Sequence, residues 1–278
     1  MNLSSQISPS PANDNSRLSR AKTLRWLGIA IFAGLVAAIG FYRGAAAALT
    51  TPASLSEGLV GYWNFDGPRD RIVDASGNHN DGVFINSTLT SGRNSHALKL
   101  LGRDDSHVSI PATPSLNNFT DKMTISAWVM PETPPDGFVV VASRQIKALK
   151  HPDQFYLGFG RLHGKTNYKW HMGTLVDGVE KEGSIYRGTA ASHRWIYMAG
   201  VYDGEWMILY VDGVVIGRTR HTGPIQVDDN PLTIGAEENR SESHVVEGEF
   251  QGQIDEVRLY NRALSAREIK ALWSRRPL

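Results

Sequence analysis

The stretch Trp195–Gly217, WIYMAGVYDGEWMILYVDGVVIG, decides the fold. Asp203-Gly204 and Asp212-Gly213 cut it into three strand-length runs rich in β-branched and aromatic residues. Asp-Gly suits the two central positions of a tight hairpin, where the backbone needs positive φ. The spacing predicts a three-strand antiparallel meander. Its middle run, EWMILYV, is apolar at both alternating positions, which predicts a strand covered on both faces inside a packed sandwich.

Similar runs stand at Leu59–Phe65, Met123–Met130, Phe138–Ala142, Phe155–Phe159 and Ile254–Tyr260, with further Asp-Gly pairs at Asp81, Asp136 and Asp177. One segment reads as a helix, Leu264–Arg276, LSAREIKALWSRR. Ser265 and Glu268 fit a capping box, in which each side chain satisfies the other's orphaned backbone donor. Ile269, Leu272 and Trp273 share one face of that helix. Many strands in series without alternating helices exclude a parallel α/β sheet. Residues 58–278 are therefore expected to form one all-β, antiparallel two-sheet sandwich with a short C-terminal helix.

Upstream lies Trp26–Tyr42, WLGIAIFAGLVAAIGFY, a run without a charge, at the lower end of the roughly 17–25 residues a membrane helix needs. The basic residues Arg17, Arg20, Lys22 and Arg25 precede it, which predicts a cytoplasmic N-terminus and an exported remainder. The expected order is a cytoplasmic basic tail (1–25), a single-pass transmembrane signal anchor in an inner membrane (26–42), a linker (43–57) and a periplasmic or extracellular domain (58–278). Ala45-Ala46-Ala47 keeps a cleaved signal peptide open as the alternative.

The chain carries 29 Lys and Arg against 28 Asp and Glu. Five of those bases and two of those acids fall within 1–57, so the rest has 24 against 26, a net of −2. That balance excludes a dedicated nucleic-acid binder. The absence of cysteine excludes a disulfide scaffold, a thiolate metal site and a cysteine nucleophile.

The segments GLVGYWNFDG from Gly58, IVDASGNHNDG from Ile72, SHALKLLGRDDSHVSIP from Ser95, FTDKMTISAWVMP from Phe119 and PLTIGAEEN from Pro231 follow in a telling order. With the ending EGEFQGQIDEVRLYNRALSAREIKALW from Glu247, they resemble bacterial laminin G-like (concanavalin A-like) jelly-roll domains. The resemblance implies a jelly-roll sandwich. It also implies a role among carbohydrate-binding modules, adhesion domains and partner-binding domains, so it leaves function open. It further points to a structural Ca²⁺ near the chain ends. Asp66, Asp74, Asn78 and Asp255 are the candidate oxygen ligands if the first and last strands pair and alternation, unless a bulge intervenes, turns Asp255 inward with Val257 and Leu259. The competing reading makes Asp66, Asp74 and Asn78 turn formers that bond nearby backbone amides.

Glucanases of the related fold place two carboxylates on one strand face in a Glu-x-Asp-x-x-Glu pattern. Here Asp255 and Glu256 are adjacent, so alternation predicts opposite faces. Glu237, Glu238, Glu242, Glu247 and Glu249 read as a solvated acidic loop. The nine histidines form no His-x-His or His-Glu-x-x-His arrangement, and no Gly-x-Ser-x-Gly occurs. The expectation is a protein without catalytic groups. For binding, Tyr168 and Trp170 alternate onto one face, with Arg144 and Asn167 as polar companions. Solvated, that face is a sugar platform; turned toward the opposite sheet, it is core. The expected function is membrane-anchored, non-catalytic recognition of carbohydrate or another cell-surface ligand. The alternative is an accessory structural subunit of a membrane complex, docking through its helix, where Ala30 and Gly34 form a small-x-x-x-small pair, and through its sandwich.

Overall fold

The computed structural model describes residues 55–146, 153–177, 179–239 and 245–274, all within the compact unit Ala53–Leu278. The anchor expected at 26–42 lies outside the described residues. Among the described residues no helix is long and apolar enough to cross a membrane.

In chain order the strands are β1 (Leu59–Trp63), β2 (Val83–Ile85), β3 (Thr88–Ser91), β4 (His96–Leu101), β5 (His107–Ile110), β6 (Met123–Pro131), β7 (Val139–Gln145), β8 (Asp153–Leu162) and β9 (Lys165–Val176). There follow β10 (Val179–Arg187), β11 (Ile196–Tyr202), β12 (Trp206–Val211), β13 (Val214–Arg220), β14 (Leu232–Ile234), β15 (Glu237–Asn239), β16 (Val245–Glu247) and β17 (Gln251–Tyr260). A helix, α1 (Ala266–Ser274), ends the described chain. The first sheet runs β13-β12-β11-β6-β17-β4-β3, and β1 also pairs with β17. The second runs β10-β9-β8-β7-β14-β5-β2, while β15 and β16 form a separate hairpin. The meander is three neighbouring antiparallel strands, β11, β12 and β13. At its second turn Asp212 and Gly213 take φ 48° and 75°. At its first, Gly204 takes φ 94° while the Asp203 carboxylate accepts the Glu205 and Trp206 amides at 3.0 and 2.7 Å.

The core lies between the sheets. Leu98, Leu100, Ile125, Val129, Ile254 and Val257 of the first sheet meet Leu157, Phe159, Trp170, Met172, Leu232 and Ile234 of the second. Each such side chain contributes about 1.5–3 kcal/mol by leaving water. Trp170 reaches the backbone of β11: a Cβ at Gly200 would lie 2.4 Å from its Cδ2, so only glycine admits the indole there.

The two outer faces differ. On the first sheet, Trp128, Tyr197, Tyr210 and Tyr260 are sealed by Leu264 and by Ile269 and Leu272 of α1. The capping box forms as expected, with the Glu268 amide donating to Ser265 Oγ at 3.3 Å and the Ser265 amide to Glu268 Oε2 at 2.8 Å. On the second sheet the corresponding face carries rings, hydroxyls and charged groups instead of an apolar layer.

Candidate functional site

Alternation along β9 turns Tyr168, Trp170 and Met172 into the core and leaves Asn167, Lys169 and His171 on the outer face. Of the two readings of Tyr168 and Trp170, the structure takes core and corrects their candidacy as ligand-binding residues: the two are 4% and 0% exposed. Arg144 is buried as well. Its guanidinium donates to the carbonyls of Asn230 (3.1 Å), Leu116 (2.7 Å) and Asp228 (2.6 Å) and to Asn117 Oδ1 (2.6 Å), so it ties loops together rather than reaching outward. Burial draws its pKa down to about 10. Asn167 is half-buried on the outer face, its amide donating to the Lys165 carbonyl at 3.1 Å.

The four residues considered for calcium have separate partners. Asp74 Oδ1 accepts the Tyr62 and Ser76 amides at 2.9 and 2.8 Å, and Oδ2 accepts Ser76 Oγ and the Asn80 amide at 2.8 and 3.0 Å. Asn78 Nδ2 donates to the Leu59 and Val60 carbonyls, both at 2.9 Å. Asp66 Oδ1 accepts the His96 amide and Asp255 Oδ2 the Arg93 amide. N–H groups aimed at Asp74 present the positive ends of their dipoles where a cation would sit, so this carboxylate does not fit a metal. Among the described residues no group of three or more His, Cys, Asp or Glu is placed to hold an ion.

The first and last strands do pair, but a bulge re-aims the acids. Asp255 opposes Trp128 and Arg258 opposes Ser126, which leaves one extra residue on β17, and Glu256 takes φ 56°. Ile254 and Val257 therefore both face the core, whereas Asp255 shares the outer face with Trp128. The inward Asp255 and the opposite-face placement of Asp255 and Glu256 are both corrected, because a bulge breaks strict alternation. Glu256 accepts from Tyr62 Oη (3.0 Å), Asn94 Nδ2 (2.9 Å) and Arg258 (2.5 Å). Burial first, then Glu256, pushes Asp255 up to about 7. These acids pin the turn around Arg93 to the first sheet.

The groups suited to a ligand gather on the outer face of the second sheet. There β8 presents Tyr156, Gly158 and Gly160, β9 presents Lys169 and His171, and β10 presents Ser184 and Tyr186. A Cβ at Gly160 would lie 2.6 Å from Tyr186 Cε1 and 3.2 Å from Lys169 Cδ, so glycine lets both side chains lie across β8. The Tyr156 ring stacks on His171 (centroids 5.5 Å apart) and meets Phe138 edge-on at 4.9 Å. His171 Nδ1 lies 2.8 Å from Ser184 Oγ.

Next to this patch, Gly235 at φ 95° and a Thr233 Oγ1 bond to the Ala236 carbonyl (2.7 Å) turn the chain from β14 into β15. Gln145 Nε2 donates to Glu237, and Ser109 Oγ donates to Glu238 Oε2 at 3.3 Å, with His107 Nε2 3.9 Å from that same oxygen. The expected solvated acidic loop is corrected here: Glu237 and Glu238 belong to a strand paired with β16, and Glu237 is 5% exposed. Burial, then the hydrogen-bonded Asp153 carboxyl, holds Glu237 far above the usual carboxylate range. Tyr156 Oη and His107 Nε2 are buried and have no hydrogen-bond partner among the described residues. A buried polar atom left unpaired costs about 1–3 kcal/mol.

The sequence sets Lys169 and His171 on the face opposite Tyr168 and Trp170, but its reading passed over Tyr156 and Tyr186. The signal was QFYLGFG, where Tyr156, Gly158 and Gly160 alternate with Phe155, Leu157 and Phe159. Alternate glycines on a long strand mark a face on which other groups lie close to the backbone.

The profile of the concanavalin A-like lectin/glucanases superfamily matches residues 101–270. Among solved structures, domain 4 of the extracellular arabinanase AbnA from Geobacillus stearothermophilus, solved with arabinotriose, has TM-score 0.57 and 17% identity, covering 78% of this chain and 98% of that one. The binding domain of Paraclostridial Mosquitocidal Protein 1 has TM-score 0.60 and 20% identity, over 79% and 52%. A Trypanosoma rangeli sialidase has TM-score 0.57 and 16% identity, over 87% and 38%. The chain thus spans nearly all of the arabinanase domain, about half of the toxin domain and less of the sialidase. Among curated protein sequences none matches.

Proposed function

Since the chain belongs to the concanavalin A-like lectin/glucanases superfamily, we propose that it is a non-catalytic recognition module that binds carbohydrate through the outer face of its second sheet. Its structural neighbours include an arabinanase domain solved with arabinotriose and toxin binding domains, which supports binding over chemistry. The observation that carries the reading is the contrast between the outer faces. One is sealed by α1, while the other gathers Tyr156, His171, Ser184, Lys169 and Tyr186, of which Ser184 is exposed and Lys169 and Tyr186 are half-buried. Rings and convergent polar groups are what a sugar requires, because its C–H faces stack and its hydroxyls both donate and accept. In this reading residues 26–42 tether the module to a membrane and the sandwich works outside the cytoplasm.

The test is a glycan array probed with the full-length chain in mild detergent. Wild type should retain a defined glycan set, and Tyr186→Ala and Ser184→Ala, at half-buried and exposed positions, should lose it while melting near the wild-type temperature. Binding unchanged in both variants would move the ligand to another surface. Stoichiometric co-purification with membrane proteins, and no retained glycan, would favour the accessory-subunit reading.

A further inference from the structure

Lys169 is the unusual member of this face. Its Nζ lies 4.1 Å from the Tyr156 ring centroid, 5.0 Å from that of Tyr186 and 5.8 Å from that of Phe138. Its register neighbours are Gly158 on β8 and Tyr186 on β10, and none of its diagonal neighbours Tyr156, Gly160 and Ser184 is an acid. Several other cations in the sandwich are paired with acids, among them Lys99 with Glu132, Arg194 with Asp212, Arg258 with Glu256 and Arg262 with Glu268. Lys169 forms no ion pair with any described acid, although it is half-buried. Three aromatic faces hold the ammonium in place, and cation–π attraction stabilises it there without neutralising it.

Resting on the recognition reading above, we propose that Lys169 is the counter-ion for a carboxylate or sulfate carried by a saccharide. The ligand class is an acidic glycan. The half-buried rings of Tyr186 and Phe138 flank the sugar, and the exposed Ser184 Oγ meets one of its hydroxyls. An ammonium already fixed by rings loses little freedom when the anion arrives, so the pair forms at low entropic cost. The hydroxyl, imidazole and ring partners around it suit a polyhydroxylated ligand better than an acidic peptide.

Full-length protein is titrated calorimetrically with oligogalacturonate, with a sulfated heparin-derived oligosaccharide, with neutral arabino-oligosaccharide and with polyglutamate. Oligogalacturonate or the sulfated oligosaccharide should bind at least tenfold more tightly than the neutral sugar and polyglutamate. Lys169→Gln should lose roughly 10- to 100-fold of that affinity, the range of a charge-assisted hydrogen bond, while Lys169→Arg keeps most of it. The Arg variant guards against a folding artefact. Equal binding of neutral and acidic sugars, untouched by Lys169→Gln, would overturn the counter-ion role and leave the recognition reading standing. Equal affinity for polyglutamate would also overturn it, because charge alone would then be read. Binding of no saccharide at all would end the recognition reading itself.

Discussion

Replacing Trp170 with alanine separates a core residue from a binding platform. The indole is fully buried between the sheets, lies on Gly200 of β11 and sits 6.1 Å from Phe155, centroid to centroid. Truncating a buried tryptophan costs about 3–5 kcal/mol in transfer and cavity terms. One term works the other way, since Trp170 Nε1 has no acceptor among the described residues and its removal recovers roughly 1 kcal/mol. The net loss is about 2–4 kcal/mol, which in a sandwich of this size lowers Tm by about 5–15 °C. Thermal unfolding followed by near-UV circular dichroism reads this directly, with glycan binding measured on the same samples below the transition. Trp170→Ala should melt earlier yet bind its ligand with near wild-type affinity while folded. A variant with unchanged Tm and abolished binding would refute the burial argument and restore Trp170 as a ligand surface.

Other expectations concern separate parts of the molecule. Gly160→Ala should displace Tyr186 and Lys169, weakening ligand binding about tenfold or more by titration while lowering Tm by only a few degrees, since one methyl on a half-open face costs about 1–3 kcal/mol. Arg144→Ala strips the donors from three loop carbonyls and Asn117, and urea unfolding should show a loss of about 3–5 kcal/mol with no selective effect on binding. The raised folded-state pKa of Asp255 means that its protonated form stabilises the fold; that contribution is full below the ordinary carboxylate range and is lost as pH rises through about 7. Asp255→Asn should flatten that decline, and urea midpoints compared across the window would contradict the assignment if wild type and variant ran parallel. Glu237→Gln should be nearly neutral at pH 7, because the acid is already protonated there, and should resist alkali better than wild type in melting scans.

Regular elements were legible from local chemistry. The Asp-Gly turns marked the meander, and Ser265 with Glu268 marked the start of α1. Pairing of the first and last strands followed from the resemblance and holds in the register Leu59↔Tyr260 to Trp63↔Val257. Face assignment failed where alternation met an exception. No residue in QIDEVRLY announces that Glu256 takes positive φ, so the bulge that carries Asp255 to the outer face stayed hidden. Tyr168 and Trp170 look like a sugar platform until the opposite sheet is placed, because period two names two faces without saying which is wet. The acidic stretch after β14 reads as solvent-facing, yet Gln145 and Asp153, distant in sequence, bury Glu237. The outer-face site is assembled from β8, β9, β10 and the segment before β7, and no single window contains it.

Hydrogen–deuterium exchange of the full-length chain, with and without a saturating glycan found on the array, tests the location of recognition most directly. Protection should concentrate in 153–187, across β8, β9 and β10, and leave α1 and the strands beneath it unchanged. Protection confined to α1 or to the first sheet would contradict the account.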